Sequence, residues 1–217
     1  MLCLEHISLR WAASKSDFEP KAPLLSDFSL QIDAGKITVL QGPSGCGKST
    51  LLSAIAGTAP ASLEISGEIL LDGKRLNGSP PENRQIGILF QDALLFPHLT
   101  VGDNLAFGIP SSRPRHERQK AVSDALAQAD MADYGEADPA ILSGGQKARI
   151  AMMRAMLSQP KLLLMDESFA ALDPELRQQF GQFVARQIEV RHIPSLLISH
   201  HDDDRRFATG SVISWPS

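Results

Sequence analysis

Two short stretches carry residue types that handle phosphate. "QGPSGCGKST", Gln41 to Thr50, fits G-x-x-x-x-G-K-[ST] from Gly42 to Ser49. Gly42, Gly45 and Gly47, with Pro43, Ser44 and Cys46 between them, let consecutive backbone N–H groups curl around phosphate oxygens at a helix start. Lys48 offers a point charge to the β- and γ-phosphates. Ser49 offers a hydroxyl to Mg²⁺, and Thr50 carries the loop into the helix. In "LLLMDE", Leu162 to Glu167, an apolar run ends in two acids. Asp166 would hold Mg²⁺, directly or through its water. Glu167 would orient or deprotonate an attacking water. Cys46 reads as a small filler of the loop, since no neighbour argues for a lowered thiol pKa. These residues indicate a nucleotide, and by themselves do not separate kinases, GTPases and transport ATPases.

A second anion site lies nearly a hundred residues away. "LSGGQ", Leu142 to Gln146, opens the helix "KARIAMMRAML". Ser143, Gly144 and Gly145 place a hydroxyl and bare N–H groups at a positive helix end. One chain thus carries two phosphate sites and one set of hydrolytic acids. A head-to-tail pair of copies, each lending its second site to the other's nucleotide, accounts for that arrangement.

The elements that must hold these residues alternate in kind. "LCLEHISLRW" reads as a strand, and Ser14 to Pro23, polar with two prolines, as a loop. "FSLQI" and "KITVL" read as two strands joined by "DAG", a tight turn. "STLLSAIAG" reads as a helix stopped by Gly57. "GEILLDGKRL" gives strand and turn, and "QIGILFQ" a buried strand. Helical periodicity follows in "VGDNLAFG", "RHERQKAVSDALAQAD" and "GQKARIAMMRAML". "KLLLMDE" returns to strand, and "PELRQQFGQFVARQIEV" puts Leu176, Phe180, Val184 and Ile188 on one stripe behind a proline in the first turn. "SLLISH" and "SVISW" close the series as strands. The order predicts one α/β domain over residues 1–217. Its ATP-binding core lobe comprises 1–91 and 159–217, with a helical lobe inserted over 92–158.

Composition narrows the classes. The chain has 217 residues, 43% of them hydrophobic, enough for a sizeable core. A net charge of -4 argues against general nucleic-acid binding. Two cysteines, Cys3 and Cys46, make no disulfide framework and point to a reducing compartment. No window approaches the roughly 20 apolar residues of a spanning helix, so work on a membrane requires a partner. Met152, Met153 and Met156 read as core packing, and the scattered histidines show no metal-ligand spacing.

Taken together, the motifs resemble the ATP-binding subunit of ABC transporters over nearly the whole chain. Gly42–Thr50 match the Walker A loop, Gln91 in "GILFQDALLFPHLTV" the Q-loop glutamine, and Leu142–Gln146 the signature. Leu162–Asp166 match the Walker B strand and Glu167 its catalytic glutamate. Asp173 in "AALD" matches the D-loop, and His200 in "LLISHHDDD" the switch histidine. Among subfamilies the chain is most similar to bacterial import ATPases of the YnjD type. The resemblance implies a P-loop NTPase core of the ABC type with an N-terminal antiparallel β region. It implies a homodimer enclosing two ATP with Mg²⁺ and driving transmembrane permease subunits, with a substrate-binding protein in the same system. The chain would then sit peripherally on the cytoplasmic face of the inner membrane.

In that scheme Lys48, Ser49 and Gln91 serve ATP and Mg²⁺. Ser143, Gly144 and Gly145, with Gln146 in the same signature, face the γ-phosphate across the dimer, as Asp173 faces the seam. His200 contacts the γ-phosphate in its own subunit.

The chain departs from the family at three places. Ser168 stands where proline usually follows the glutamate, and Ala170 where the D-loop usually has serine. Trp11 stands near the place where a tyrosine usually stacks on adenine; a core or surface tryptophan is the alternative. His201 competes with His200, which directly follows the strand. The apolar run Leu94, Leu95, Phe96 and Pro97 has two readings, core between the lobes and a groove for a helix of the membrane subunit. A soluble ABC-type ATPase of DNA repair or translation, a P-loop kinase or GTPase, and a non-hydrolytic ATP binder are the competing functions. The compact cassette, the "LSGGQ" helix and the retained Asp166, Glu167 and His200 argue against them in turn.

Overall fold

The computed structural model describes residues 1–12 and 22–216; most of the loop expected at Ser14–Pro23 lies outside the described residues. Two sheets form the core lobe. The first is antiparallel, in the order β2-β1-β4-β5, from β1 (Leu2–Trp11), β2 (Leu25–Ile32), β4 (Leu63–Leu71) and β5 (Lys74–Arg75). The second is parallel, in the order β6-β7-β8-β3-β9, from β3 (Ile37–Gln41), β6 (Ile86–Leu89), β7 (Leu162–Asp166), β8 (Ser195–Ser199) and β9 (Val212–Ser214).

The two strands and the tight turn expected around "DAG" are present, but the strands part into different sheets. β2 and β3 are joined by a turn at Asp33–Lys36, closed by the Lys36 N–H on the Asp33 carbonyl, yet they do not pair. β2 is the edge of the antiparallel sheet and β3 an inner strand of the parallel one. The burial pattern explains the difference. β2 has exposed residues among its buried ones, as a one-sided strand does, whereas all five residues of β3 are buried. A strand buried on both faces belongs in a parallel sheet covered by helices.

β1 carries a bulge that keeps its apolar residues inward. Leu2, Leu4, Ile7 and Leu9 are buried, so the alternation slips by one residue between Leu4 and Ile7. There His6 takes φ 52, and both β1 pairings shift register. Gly67 on β4 faces the bulge with φ 90; a Cβ on it would lie 2.5 Å from the Glu5 and His6 carbonyl oxygens, so no other residue fits.

Helix α1 (Lys48–Ala56) packs between the sheets, its Leu51, Leu52 and Ile55 joining Leu4, Leu40 and Leu164 in one core. It ends at Gly57 with φ 80, as the sequence predicts. On the opposite face of the parallel sheet lies α5 (Pro174–Arg191), which buries Phe180, Val184 and Ile188 and half-buries Leu176. Replacing one of these fully buried side chains with alanine is worth roughly 2–5 kcal/mol.

Helices α2 (Val101–Phe107), α3 (Arg115–Gln128) and α4 (Gly144–Leu157) form a third core of their own with Leu105, Leu126, Ile150 and Met153. α4 serves two cores at once: Met153 faces the helical cluster, while Met152 and Met156 pack on the parallel sheet. The methionines are buried packing residues. The helix that opens with "SGGQ" is thereby seated firmly against both groups of elements.

Candidate functional site

In a parallel sheet the carboxyl ends of the strands face the ligand crevice. Four of the sequence-predicted chemical positions leave a strand at that edge. Gly42 follows β3, Gln91 lies just past β6, Glu167 follows β7 and His200 follows β8. The edge opens on a cavity of about 630 Å³ lined by Ser44, Gly45, Gly47, Lys48, Ser49 and Thr50 on one side and by Gln91, Asp166 and Glu167 on the other. That volume suits a nucleotide-sized ligand.

The phosphate loop is poised for an anion. α1 begins with Gly47 at φ 113, a conformation that favours glycine, and no side chain caps its first N–H groups. Lys48 is buried at 4% exposure, and its Nζ donates to the Gly42 and Pro43 carbonyls at 2.8 and 2.7 Å. The loop thus holds its own cation by neutral dipoles, leaving the charge uncompensated. Cys46 is half-buried, with its Sγ 3.8 Å from Lys48 Nζ.

Ser49 Oγ donates to Asp166 Oδ1 at 3.1 Å, so two of the three oxygen donors expected at Mg²⁺ already converge. Partial burial pushes the Asp166 carboxyl above the usual carboxylate range; the Ser49 hydrogen bond opposes this and the Glu167 charge adds to it. A carboxylate so placed favours a cation beside it. Among the described residues no cluster of three His, Cys, Asp or Glu could hold a metal alone. Two or three oxygen donors plus phosphate and water is the donor set Mg²⁺ takes in nucleotide sites.

Glu167 stands at φ 48, its N–H bonded to the Ile198 carbonyl at 3.0 Å. His200 Nδ1 lies 3.0 Å from Glu167 Oε1. Of the two histidines, His200 is the one that reaches the glutamate, while the His201 carbonyl is engaged by Gln41. The segment after Glu167 is held by buried Arg177, which donates to the Phe169 and Ala170 carbonyls at 3.2 and 3.3 Å. Ser168 Oγ is buried without a partner, so the residue that departs from the family pattern gains nothing from its hydroxyl.

The structure does not bring "SGGQ" to this cavity. Ser143, Gly145 and Gln146 line a separate one of about 360 Å³ with Met131 and Arg149. No residue lines both cavities. Ser143 and Gln146 form a reciprocal capping box: the Gln146 N–H donates to Ser143 Oγ at 3.3 Å and the Ser143 N–H to Gln146 Oε1 at 2.9 Å. Asp173 caps α5, accepting from the Glu175 and Leu176 N–H groups at 3.1 and 3.0 Å, and does not line the phosphate cavity.

Trp11 does line it, half-buried at the end of β1, beside Leu24. Sequence reasoning missed two contacts of Trp215. The Trp215 N–H donates to the Gln41 carbonyl at 2.5 Å, and its indole lies 3.3 Å from where a Cβ on Gly47 would stand. Both contacts join residues more than 160 positions apart, with no local signal. The run after Gln91 divides between its two readings. Leu95 is half-buried against two cores, whereas Leu94 is 57% exposed beside Phe90 and Phe107 on an apolar hollow of about 520 Å³.

With that geometry in place, comparison with known proteins is informative. A family model described as ABC transporter matches residues 25–170. An uncharacterized ABC transporter ATP-binding protein, YnjD of Escherichia coli strain K12, is 43% identical over 204 residues, 94% of this chain and 90% of that protein. The thiamine import ATP-binding protein ThiQ of Vibrio vulnificus strain YJ016 is 42% identical over 181 residues, 82% of this chain and 76% of that protein. The spermidine/putrescine import ATP-binding protein PotA of Oleidesulfovibrio alaskensis is 40% identical over 190 residues. Those are 85% of this chain, which spans about half (48%) of the length of that relative. Among solved structures, the ATP-binding cassette MJ0796, a dimer in a post-hydrolysis state bound to ADP and Pi, is similar with a TM-score of 0.77. It has 27% identity, over 99% of this chain and 94% of that one.

Proposed function

The chain belongs to the ABC transporter family as an ATP-binding, ATP-hydrolysing subunit, and we propose that two copies enclose two MgATP molecules to drive separate membrane permease subunits. The observation that carries this reading is the division of the site. Phosphate loop, Asp166, Glu167 and His200 meet at one sheet edge, while Ser143, Gly145 and Gln146 line a cavity that shares no residue with it, and Gly144 opens on a separate hollow that reaches only Phe90, Gln91 and Asp92 of the phosphate cavity. A second copy turned head to tail supplies the missing half to each nucleotide.

Each residue then has a task. The N–H groups of Gly45 to Thr50 and the Lys48 ammonium hold the β- and γ-phosphates; Lys48 turns from the Gly42 and Pro43 carbonyls to do so. Ser49, Asp166 and Gln91 hold Mg²⁺, whose bound charge neutralises the phosphate oxygens. Glu167 takes the proton of the attacking water, and His200, whose Nδ1 lies 3.0 Å from the glutamate, donates to the γ-phosphate. Ser143, Gly144 and Gly145 approach that phosphate from the partner copy, and Asp173 lies at the seam between copies. Trp11 stacks on the adenine.

Import is the direction we favour, because the thiamine and spermidine/putrescine relatives are import ATP-binding proteins by name; a substrate-binding protein then delivers the cargo. The permease seat is the hollow beside Leu94, Phe90 and Phe107, three large apolar side chains left in water. Among the described residues no helix is long and apolar enough to cross a membrane. In this reading the permease holds the chain at the membrane, on its cytoplasmic face. The helical insertion over 92–158 carries the signature and, through Leu94 and Phe107, one side of the hollow, and so links cargo passage to closure. The test is MgATP turnover by the wild-type chain beside Glu167→Gln. Turnover in the first and its loss in the second, with ATP still bound, is expected; equal turnover would overturn the assignment.

A further inference from the structure

The switch histidine stands on a loop clamped on both of its flanks by residues outside the recognised motifs. Before it, Ser199 Oγ donates to Asp204 Oδ2 at 2.6 Å; the two residues are 1% and 2% exposed. After it, the His201 N–H returns to Ser199 Oγ at 2.9 Å, and the Asp204 N–H donates to the His201 carbonyl at 3.2 Å. That same carbonyl accepts from Gln41 Nε2 at 2.9 Å. Gln41 Oε1 in turn accepts from Arg205 Nε. Gln41 is the last residue of β3, immediately before the phosphate loop, and only 6% exposed. Its backbone carbonyl takes the Trp215 N–H, and the Trp215 indole backs Gly47.

We infer that Gln41 is a positioning residue that sets the switch loop against the phosphate loop and so holds His200 at Glu167, with Asp204 as the buried anchor of that loop. The inference rests on the ATPase reading above. The chemistry selects a carboxamide. It must donate to the His201 carbonyl and accept from Arg205 with one side chain, which an amide does and a carboxylate, an alkyl chain or a lysine does not. The His200 imidazole itself is a third exposed, and its geometry against Glu167 depends on its neighbours' backbone being fixed. A shift of Gly42 as phosphate enters the loop reaches the switch loop through this side chain, beside the backbone pairing of Gln41 with Ser199 in the β3/β8 ladder. The Gln41 end of the link is buried, so breaking it strands the amide out of water, while Arg205 reaches it from an exposed position.

Gln41→Met keeps the length and removes both hydrogen bonds; Gln41→Glu keeps the acceptor for Arg205 and loses the donor to His201. Single-turnover rates and MgATP affinity are measured separately on the full chain, alone and with His200→Ala. Gln41→Met is expected to lower the rate roughly tenfold to a hundredfold with affinity within about twofold, the pattern of a misplaced reacting group. With His200→Ala present, the same change is expected to do nothing further. An unchanged rate, an equal loss in the His200→Ala background, or a loss of affinity instead of rate would overturn the inference. If Gln41→Met does not fold, Gln41→Glu is read by the same criteria. Glu167→Gln in the same assay separates the two levels. If it turns over normally, the ATPase reading itself fails; if it is dead while Gln41→Met is normal, only the coupling through Gln41 fails.

Discussion

Two helix N-termini in this chain face anions in the proposed cycle, and they are built differently. α1 starts from Gly47 with no side-chain cap, a buried lysine curled onto its own loop, and acids across the cavity. α4 starts from Ser143 with a complete capping box. The first is an open receptor, since its N–H groups and charge have no better partner inside the chain. The second is satisfied at rest at Ser143 and Gln146, leaving Gly144 and Gly145, whose N–H groups have no intrahelical acceptor, for a visitor. An open end suits initial binding by one copy, and a self-capped end suits a contact that forms only on closure.

Mutations that break this contrast rank by size. The largest effect is Lys48→Ala, which removes the one cation of the open end. Nucleotide binding should collapse, and turnover should fall on the order of 10²–10³-fold, measured by ATPase assay and titration calorimetry. Ser143→Arg fills the self-capped end. Turnover should drop about 10²-fold while the affinity of the dilute monomer for ATP stays at the wild-type value. Equal damage to both would mean that α4 serves its own subunit's nucleotide.

Asp166→Asn sharpens the comparison by separating stability from function. Folding raises the Asp166 pKa, so the protonated form is favoured by folding; this contribution is full at low pH and is lost as pH rises through the raised value. The asparagine variant should therefore melt higher than wild type near neutral pH without nucleotide, and should lose the extra stabilisation that MgATP gives. The smallest effect belongs to Ser168→Ala. Removing a buried hydroxyl without a partner should raise stability by about 1 kcal/mol, or roughly 2–4 °C in Tm, and leave ATP affinity alone.

What the sequence made legible was local. The phosphate loop, the acids after "LLLM" and "SGGQ" are read from residue type and spacing, and each lies at a strand or helix end where those types act. The elements themselves followed from periodicity. What stayed hidden was long-range. A "DAG" turn looks the same whether the strands beside it pair or part, and only the two-sided burial of Ile37–Gln41 places β3 in the other sheet. Trp215 against Gly47 and Gln41 against His201 join chain segments that no window connects. The Leu94–Pro97 run was legible as apolar but not as divided, because whether Leu95 turns inward and Leu94 outward depends on the helices that pack over it.

The measurement that tests the account most directly is the mass of Glu167→Gln in solution, by light scattering, with and without MgATP. The account predicts a monomer that becomes a dimer when MgATP is added, held because hydrolysis cannot reopen it. A variant that binds MgATP and remains a monomer would contradict the idea that each copy completes the other's site.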